Sequence, residues 1–140
     1  MERKNTKILH KELSYILQGC LFDIRKQYGS GHKETVYKNL LAERLKLKGL
    51  SIEIEKIIPI YSDQSGQMVG NYRSDLVLEK KIIIELKASK FTTRQDEEQI
   101  LYYLRNTVYE IGYLINFGMP KLAIRRLIYT NDCKIRGFSS

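Results

Sequence analysis

Two cysteines and two histidines in 140 residues are too few for the frameworks such residues build. Cys20 and Cys133 lie far apart, without Cys-x-x-Cys spacing, which argues against a zinc site, an iron–sulfur site or a disulfide scaffold. Their scarcity fits a reducing, cytoplasmic setting, and both are expected to be buried structural thiols. No apolar run approaches the roughly 20 residues that cross a bilayer, so no membrane partner is expected. The opening Met-Glu-Arg-Lys-Asn-Thr-Lys lacks the apolar core of a signal peptide. Internal repeats, low-complexity tracts and linkers are missing too. What remains is a single domain over residues 1–140. Its 43% hydrophobic and 29% charged residues exclude a disordered chain, and its length suffices for a real core.

The formal net charge of +8 is unevenly spread. Residues 1–50 hold eleven Lys or Arg against five acids, and residues 101–140 hold six against two. Residues 51–100 hold seven against nine. Basic flanks around a locally acidic middle suit a polyanion held about a carboxylate-bound cation.

That acidic middle contains the stretch around which the chain is organised, residues 75–87, Asp-Leu-Val-Leu-Glu-Lys-Lys-Ile-Ile-Ile-Glu-Leu-Lys. It reads as two apolar strands joined by a short charged turn. Ile82, Ile83 and Ile84 run unbroken, as in a strand covered on both faces. The strand nonetheless ends in Glu85 and Lys87, two residues apart and on one face. With Glu79-Lys80-Lys81 as a three-residue loop, Leu78 pairs with Ile82 and Asp75 falls opposite Glu85. Asp75, Glu85 and Lys87 then share a face with Val77 and Ile83. A two-residue loop separates the two acids onto opposite faces, and a bulge near Asp75 restores them. Paired carboxylates repel unless a cation lies between them, and oxygen donors suit magnesium or manganese. A neighbouring lysine can orient a water or stabilise phosphate charge. The plain alternative is a surface hairpin carrying a Glu–Lys pair.

The remaining elements follow from periodicity. Residues 8–28 form a first helix, with Ile8, Leu9, Leu13, Ile16, Leu17, Cys20, Leu21 and Ile24 at three- and four-residue steps. A second helix covers residues 32–48 and stops at Gly49. Glu34 lies in its first turn, where a carboxylate is favoured by the helix dipole, and Tyr37 follows at i+3. Residues 51–61 form a strand with Pro59 inside it, hence an edge or bulge site. Residues 68–74 return from a turn and lead into Asp75. Thr92 and Thr93 offer a cap for a helix reaching residue 106. Residues 110–117 and 123–130 are the last strands, and Arg125 and Arg126 face opposite ways on the final one. The strand–helix–strand crossover makes the third and fourth strands parallel neighbours. The fold class is therefore α/β, a mixed sheet flanked by helices in the order α-α-β-β-β-α-β-β.

Four motifs lie on these elements in order. Gly31-His32-Lys33-Glu34-Thr35-Val36-Tyr37 comes first. Asp75 and Glu85-Leu86-Lys87-Ala88 follow, then Gln99-Ile100-Leu101-Tyr102-Tyr103, then Gly112-Tyr113-Leu114-Ile115-Asn116-Phe117-Gly118. Together, over residues 10–130, they resemble the PD-(D/E)XK nuclease superfamily. The specific likeness is to its bacterial GxxExxY proteins, near the RecB-like and lambda-exonuclease-like branch. Ser74 stands where the superfamily's nominal proline would be, and the chain lacks the four cysteines of the iron–sulfur subset.

The resemblance implies a restriction-endonuclease-like fold and a metal-dependent nuclease using magnesium or manganese. Its partner would be nucleic acid, DNA before RNA. Glu34, Asp75 and Glu85 would be metal ligands, with the Leu86 carbonyl a further one. Lys87 would orient the attacking water, and Gln99 would hold the substrate or the lysine, with Tyr103 beneath it. Tyr37 reads as a supporting core aromatic with a tied hydroxyl, and His32 as ordinary surface. The competing expectations are an idle nucleic-acid-binding or partner-docking module on the same fold, and a small-molecule phosphoesterase, which needs a closed pocket.

Overall fold

The structure, a computed structural model, describes residues 10–134. Helix α1 spans Lys11–Tyr28 and α2 spans Glu34–Leu47. Three strands follow: β1 (Ile52–Tyr61), β2 (Met68–Leu78) and β3 (Ile82–Lys87). Then come α3 (Arg94–Asn106), β4 (Ile111–Asn116), β5 (Ala123–Ile128) and a 3-10 turn at Asn131–Cys133. The expected element order holds, with the closing 3-10 turn as an addition. Ile8 and Leu9, expected in the first helix, lie outside the described residues.

The five strands form one sheet in chain order, β1-β2-β3-β4-β5. All neighbours are antiparallel except β3 and β4, which are parallel as the intervening helix requires. Pro59 lies in the edge strand β1, where its missing N–H leaves no gap in the sheet interior. The two central strands are almost wholly buried, which accounts for the unbroken isoleucines.

Helices cover both faces. Leu17, Leu21 and Ile24 of α1 and Tyr37, Leu41 and Leu45 of α2 pack on Leu76, Leu78, Ile82, Ile84 and Leu86. On the other face Ile100 and Leu104 of α3 pack on Val77, Ile83, Leu114 and Leu127. Alternate residues of β3 thus serve opposite layers, and each buried side chain contributes about 2 kcal/mol. Tyr37 stacks flat on Phe117 at 4.1 Å between ring centres.

Local signals set the helix ends. At the close of α2 the Gly49 N–H bonds Lys46 O and the Leu50 N–H bonds Leu45 O, a Schellman motif with Gly49 at φ +81°. Thr93 caps α3 through a reciprocal box with Asp96: each backbone N–H reaches the other's side-chain oxygen, at 3.0 and 3.1 Å. One expectation fails at the end of the chain. Cys20 is buried, but Cys133 is exposed, because it sits in the surface turn after β5 and not in a packed element.

Candidate active site

The β2–β3 hairpin closes with the three-residue spacing, pairing Leu78 with Ile82, Val77 with Ile83 and Leu76 with Ile84. Glu79 and Lys80 take up the reversal with φ of +51° and +55°, and the Lys81 N–H bonds Leu78 O. Regular pairing ends at Leu76 and Ile84, and beyond that point carboxylates replace carbonyls as acceptors. The Leu86 N–H donates to Asp75 Oδ2 at 2.9 Å, and the Asp75 N–H lies 3.4 Å from Glu85 Oε1. The Tyr72 hydroxyl also donates to Glu85 Oε1. Asp75 and Glu85 are thus locked against each other across the hairpin. Each leaves its second oxygen, Oδ1 and Oε2, without a hydrogen-bond donor among the described residues.

The electrostatics follow from that crowding. Burial pushes the Glu85 carboxyl up to about 8; the Glu34 charge adds to the rise, and the Asp75 N–H and Lys87 oppose it. Burial also raises Asp75, against the pull of the Leu86 N–H, Lys38 and Lys87. Glu34, at the start of α2, is exposed as a residue, but its carboxyl is partly desolvated and faces the Asp75 charge; both effects raise it. Lys87 draws down all three. All three carboxyls are raised, each by desolvation first, so their charged forms are disfavoured there and a nearby cation would favour them.

Of the residues the motifs singled out, Asp75, Glu85 and Lys87 come together on the hairpin, and Glu34 joins them as an electrostatic neighbour. The donor set fits a hard divalent ion in part. Two adjacent carboxylates with open oxygens are a common magnesium set when water and phosphate complete the shell. Among the described residues, however, no three acidic, His or Cys side chains stand in metal-holding positions. Leu86 is buried, with its N–H committed to Asp75. Gln99 is exposed on α3, and its side chain makes no hydrogen bond to Lys87 or to other described residues. Tyr103 stacks on Tyr72 at 3.6 Å between ring centres and so braces Glu85 indirectly. The Tyr37 hydroxyl donates to Gly29 O at 2.7 Å and accepts the His32 N–H at 3.2 Å, tying the glycine turn to α2. Arg125 is held by Glu97 of α3 at 3.0 Å. Ser74, in the nominal proline position, is fully buried and donates to Leu76 O, bridging over Asp75.

Two contributors were not singled out from the sequence. Tyr72 is 13 residues from Glu85, and only the register of β2 brings it near. Lys38 lies one turn after Glu34, so helical spacing alone offered a signal for it. Its ammonium lowers both Glu34 and Asp75.

Next to Lys87, the crossover is anchored by Asn116, which is buried. Its Oδ1 accepts the Ser89 and Gly118 N–H groups at 3.2 and 2.9 Å, and its Nδ2 reaches Ser89 Oγ and Thr92 Oγ1. Gly118 is required there, since a Cβ would come within 2.5 Å of Ser89 O.

No curated protein matches the sequence significantly. A crystal structure of a protein named SSO0001 aligns with a TM-score of 0.49 at 19% identity, over 78% of this chain. The aligned region covers 61% of that protein, so the chain spans less than two thirds of its length. A family profile described as the PD-(D/E)XK nuclease superfamily matches residues 11–127. The match runs from the first residue of α1 to the last strand and takes in the whole hairpin. With three helices on a five-stranded mixed sheet, the chain belongs to the PD-(D/E)XK nuclease superfamily.

Proposed function

We propose that this protein is a divalent-metal-dependent nuclease, using magnesium or manganese to hydrolyse phosphodiester bonds of nucleic acid, with DNA as the first substrate to test. Membership of the superfamily implies nuclease-type chemistry on nucleic acid, generally with a divalent ion. The observation that carries the reading is the carboxylate pair. Asp75 and Glu85 are fixed by backbone donors on one oxygen each and keep Oδ1 and Oε2 open beside Lys87.

Asp75 and Glu85 would hold the ion, with Glu34 and the Leu86 carbonyl as further donors. A bound ion there supplies a more acidic water and positive charge against the phosphate. Lys87 would orient that water and keep a proton at Nζ near the developing charge. Gln99, exposed on α3, would contact the substrate and not the lysine. The Gly31, Glu34 and Tyr37 motif supports placement in the GxxExxY group.

The test is cleavage of labelled DNA and RNA in magnesium or manganese by wild type, Asp75→Ala, Glu85→Ala and Lys87→Ala. The expected result is cleavage by wild type and loss of about a hundredfold or more in each folded variant. The second reading, an idle nucleic-acid-binding or docking module, is favoured by the absence of a three-ligand cluster among the described residues. It predicts salt-dependent binding and no turnover from any of these proteins.

A further inference from the structure

Glu55 stands in the middle of β1 with φ of +51°, a left-handed conformation that strand residues other than glycine rarely hold. Pairing of Ile54 with Leu76 and Lys56 with Ser74 continues on either side, so the deviation lies directly opposite Asp75. The strand changes face there: Ile52 packs in the layer under α1 and α2, whereas Ile58 packs under α3. At this kink Glu55 Oε1 accepts a hydrogen bond from Lys38 Nζ of α2 at 3.0 Å.

The Lys38 side chain is 13% exposed, against 51% for Glu55, so its stem is largely covered while the ion pair itself lies at the solvent-facing edge of the site. Lys38 lies one helical turn from Glu34, and its charge bears on Glu34 and Asp75 together. An ion pair with one solvated partner contributes little to stability. The kink itself serves the strand's change of face, which buries Ile58 under α3, but the Lys38–Glu55 pair adds little to that, so stability does not explain why an ammonium is brought to this edge of the carboxylates.

We propose that Lys38 is a substrate-phosphate-binding residue, parked on Glu55 until nucleic acid docks and then transferred to a backbone phosphate oxygen. The inference rests on the nuclease reading and names the group that receives the polyanion. Lys38 from α2 and Lys87 from β3 then flank the carboxylate pair from two sides. A phosphate competes with Glu55 for the ammonium through its own charge, and lysine serves as a mobile point charge. Glu55 thus sets a threshold that a neutral ligand does not pass.

The experiment is fluorescence anisotropy with labelled DNA and RNA oligonucleotides across a salt series, in chelator so that nothing is cut. Wild type is compared with Lys38→Met, Glu55→Gln and the double variant, each checked for folding by thermal melting. Lys38→Met should bind more weakly, with a salt slope lower by about 0.9 on duplex DNA. Glu55→Gln should bind up to about fivefold tighter, the strength of the surface pair it removes. Glu55→Gln should tighten binding clearly more in the wild-type background than in the Lys38→Met background, where only its direct repulsion of phosphate is relieved. An unchanged slope in Lys38→Met, or weaker binding by Glu55→Gln, overturns this inference and leaves the nuclease reading standing. Failure of wild type to bind either oligonucleotide in chelator overturns this inference, and failure to bind or cut either one with manganese present overturns the nuclease reading as well.

Discussion

Raising the pH of the metal-free protein should destabilise it, and Glu85→Gln should remove most of that loss. The folded chain holds a proton on Glu85 up to about 8, whereas an unburied glutamate releases it near 4.5. Between those values the folded state binds the proton and the unfolded state does not, so stability falls as pH rises. The contribution is complete below 4.5 and gone above about 8. A rise of that size sets a ceiling of about 5 kcal/mol. Glu85 is only partly shielded from water, which brings the expected loss to about 2 kcal/mol, or roughly 6 °C in melting temperature for a domain of this size. Asp75 and Glu34 are raised in the same direction and add smaller slopes in both proteins. Glutamine keeps the size of the side chain and an oxygen for Tyr72 and the Asp75 N–H, but cannot ionise. The assay is thermal melting of wild type and Glu85→Gln in chelator from about pH 5 to about pH 9. The difference between the two curves isolates Glu85. Parallel curves would refute the reasoning, since the carboxyl would then titrate alike in folded and unfolded chains. Saturating manganese should flatten the wild-type curve as the variant does.

Three substitutions test the supports of the site. Tyr72→Phe removes the hydroxyl bonded to Glu85 while keeping the ring on Tyr103; urea unfolding should show a loss of about 1–2 kcal/mol, accompanied by weaker manganese binding. Tyr37→Phe strips the bond to Gly29 O and the acceptor for the His32 N–H; about 1 kcal/mol should be lost, and backbone amide exchange should quicken in the glycine turn. Gly118→Ala drives a Cβ into Ser89 O; about 2–3 kcal/mol should be lost, with accelerated exchange through the segment after Lys87.

Much of this architecture could be read from local chemistry. The charged turn after Leu78, the isoleucine run of β3 and the threonine cap at Thr92 and Thr93 are short-range signals, and each led to the observed element. The parallel placement of β4 followed from a helix of the right length between two strands. Other features depended on register and not on pattern. Ile52 and Ile58 share the parity of one alternating strand, yet pack on opposite faces because Glu55 turns left-handed between them. Nothing in Ile-Glu-Ile-Glu marks that kink. Tyr72 joins the layer of Val77 despite opposite parity, the mirror of the same change in β2. That shift is what carries its hydroxyl to Glu85, so the partner could not be found by counting along the strand. Gln99 followed from a motif, but its neighbourhood depends on how α3 lies against the sheet, and its side chain stays at the surface. Residue type alone assigns Cys133 to the interior, whereas it lies exposed in the short turn that follows β5.

The central claim is that Asp75 and Glu85 together hold a divalent ion, and calorimetric titration with manganese, then magnesium, tests it most directly. Wild type should bind one ion and, near neutral pH, release about one proton as Glu85 ionises, seen by repeating the titration in buffers of different ionisation enthalpy. Asp75→Asn and Glu85→Gln should each lose binding while melting cooperatively. Wild type that binds neither ion, even with DNA present, would contradict the account and leave the idle docking module as the better description.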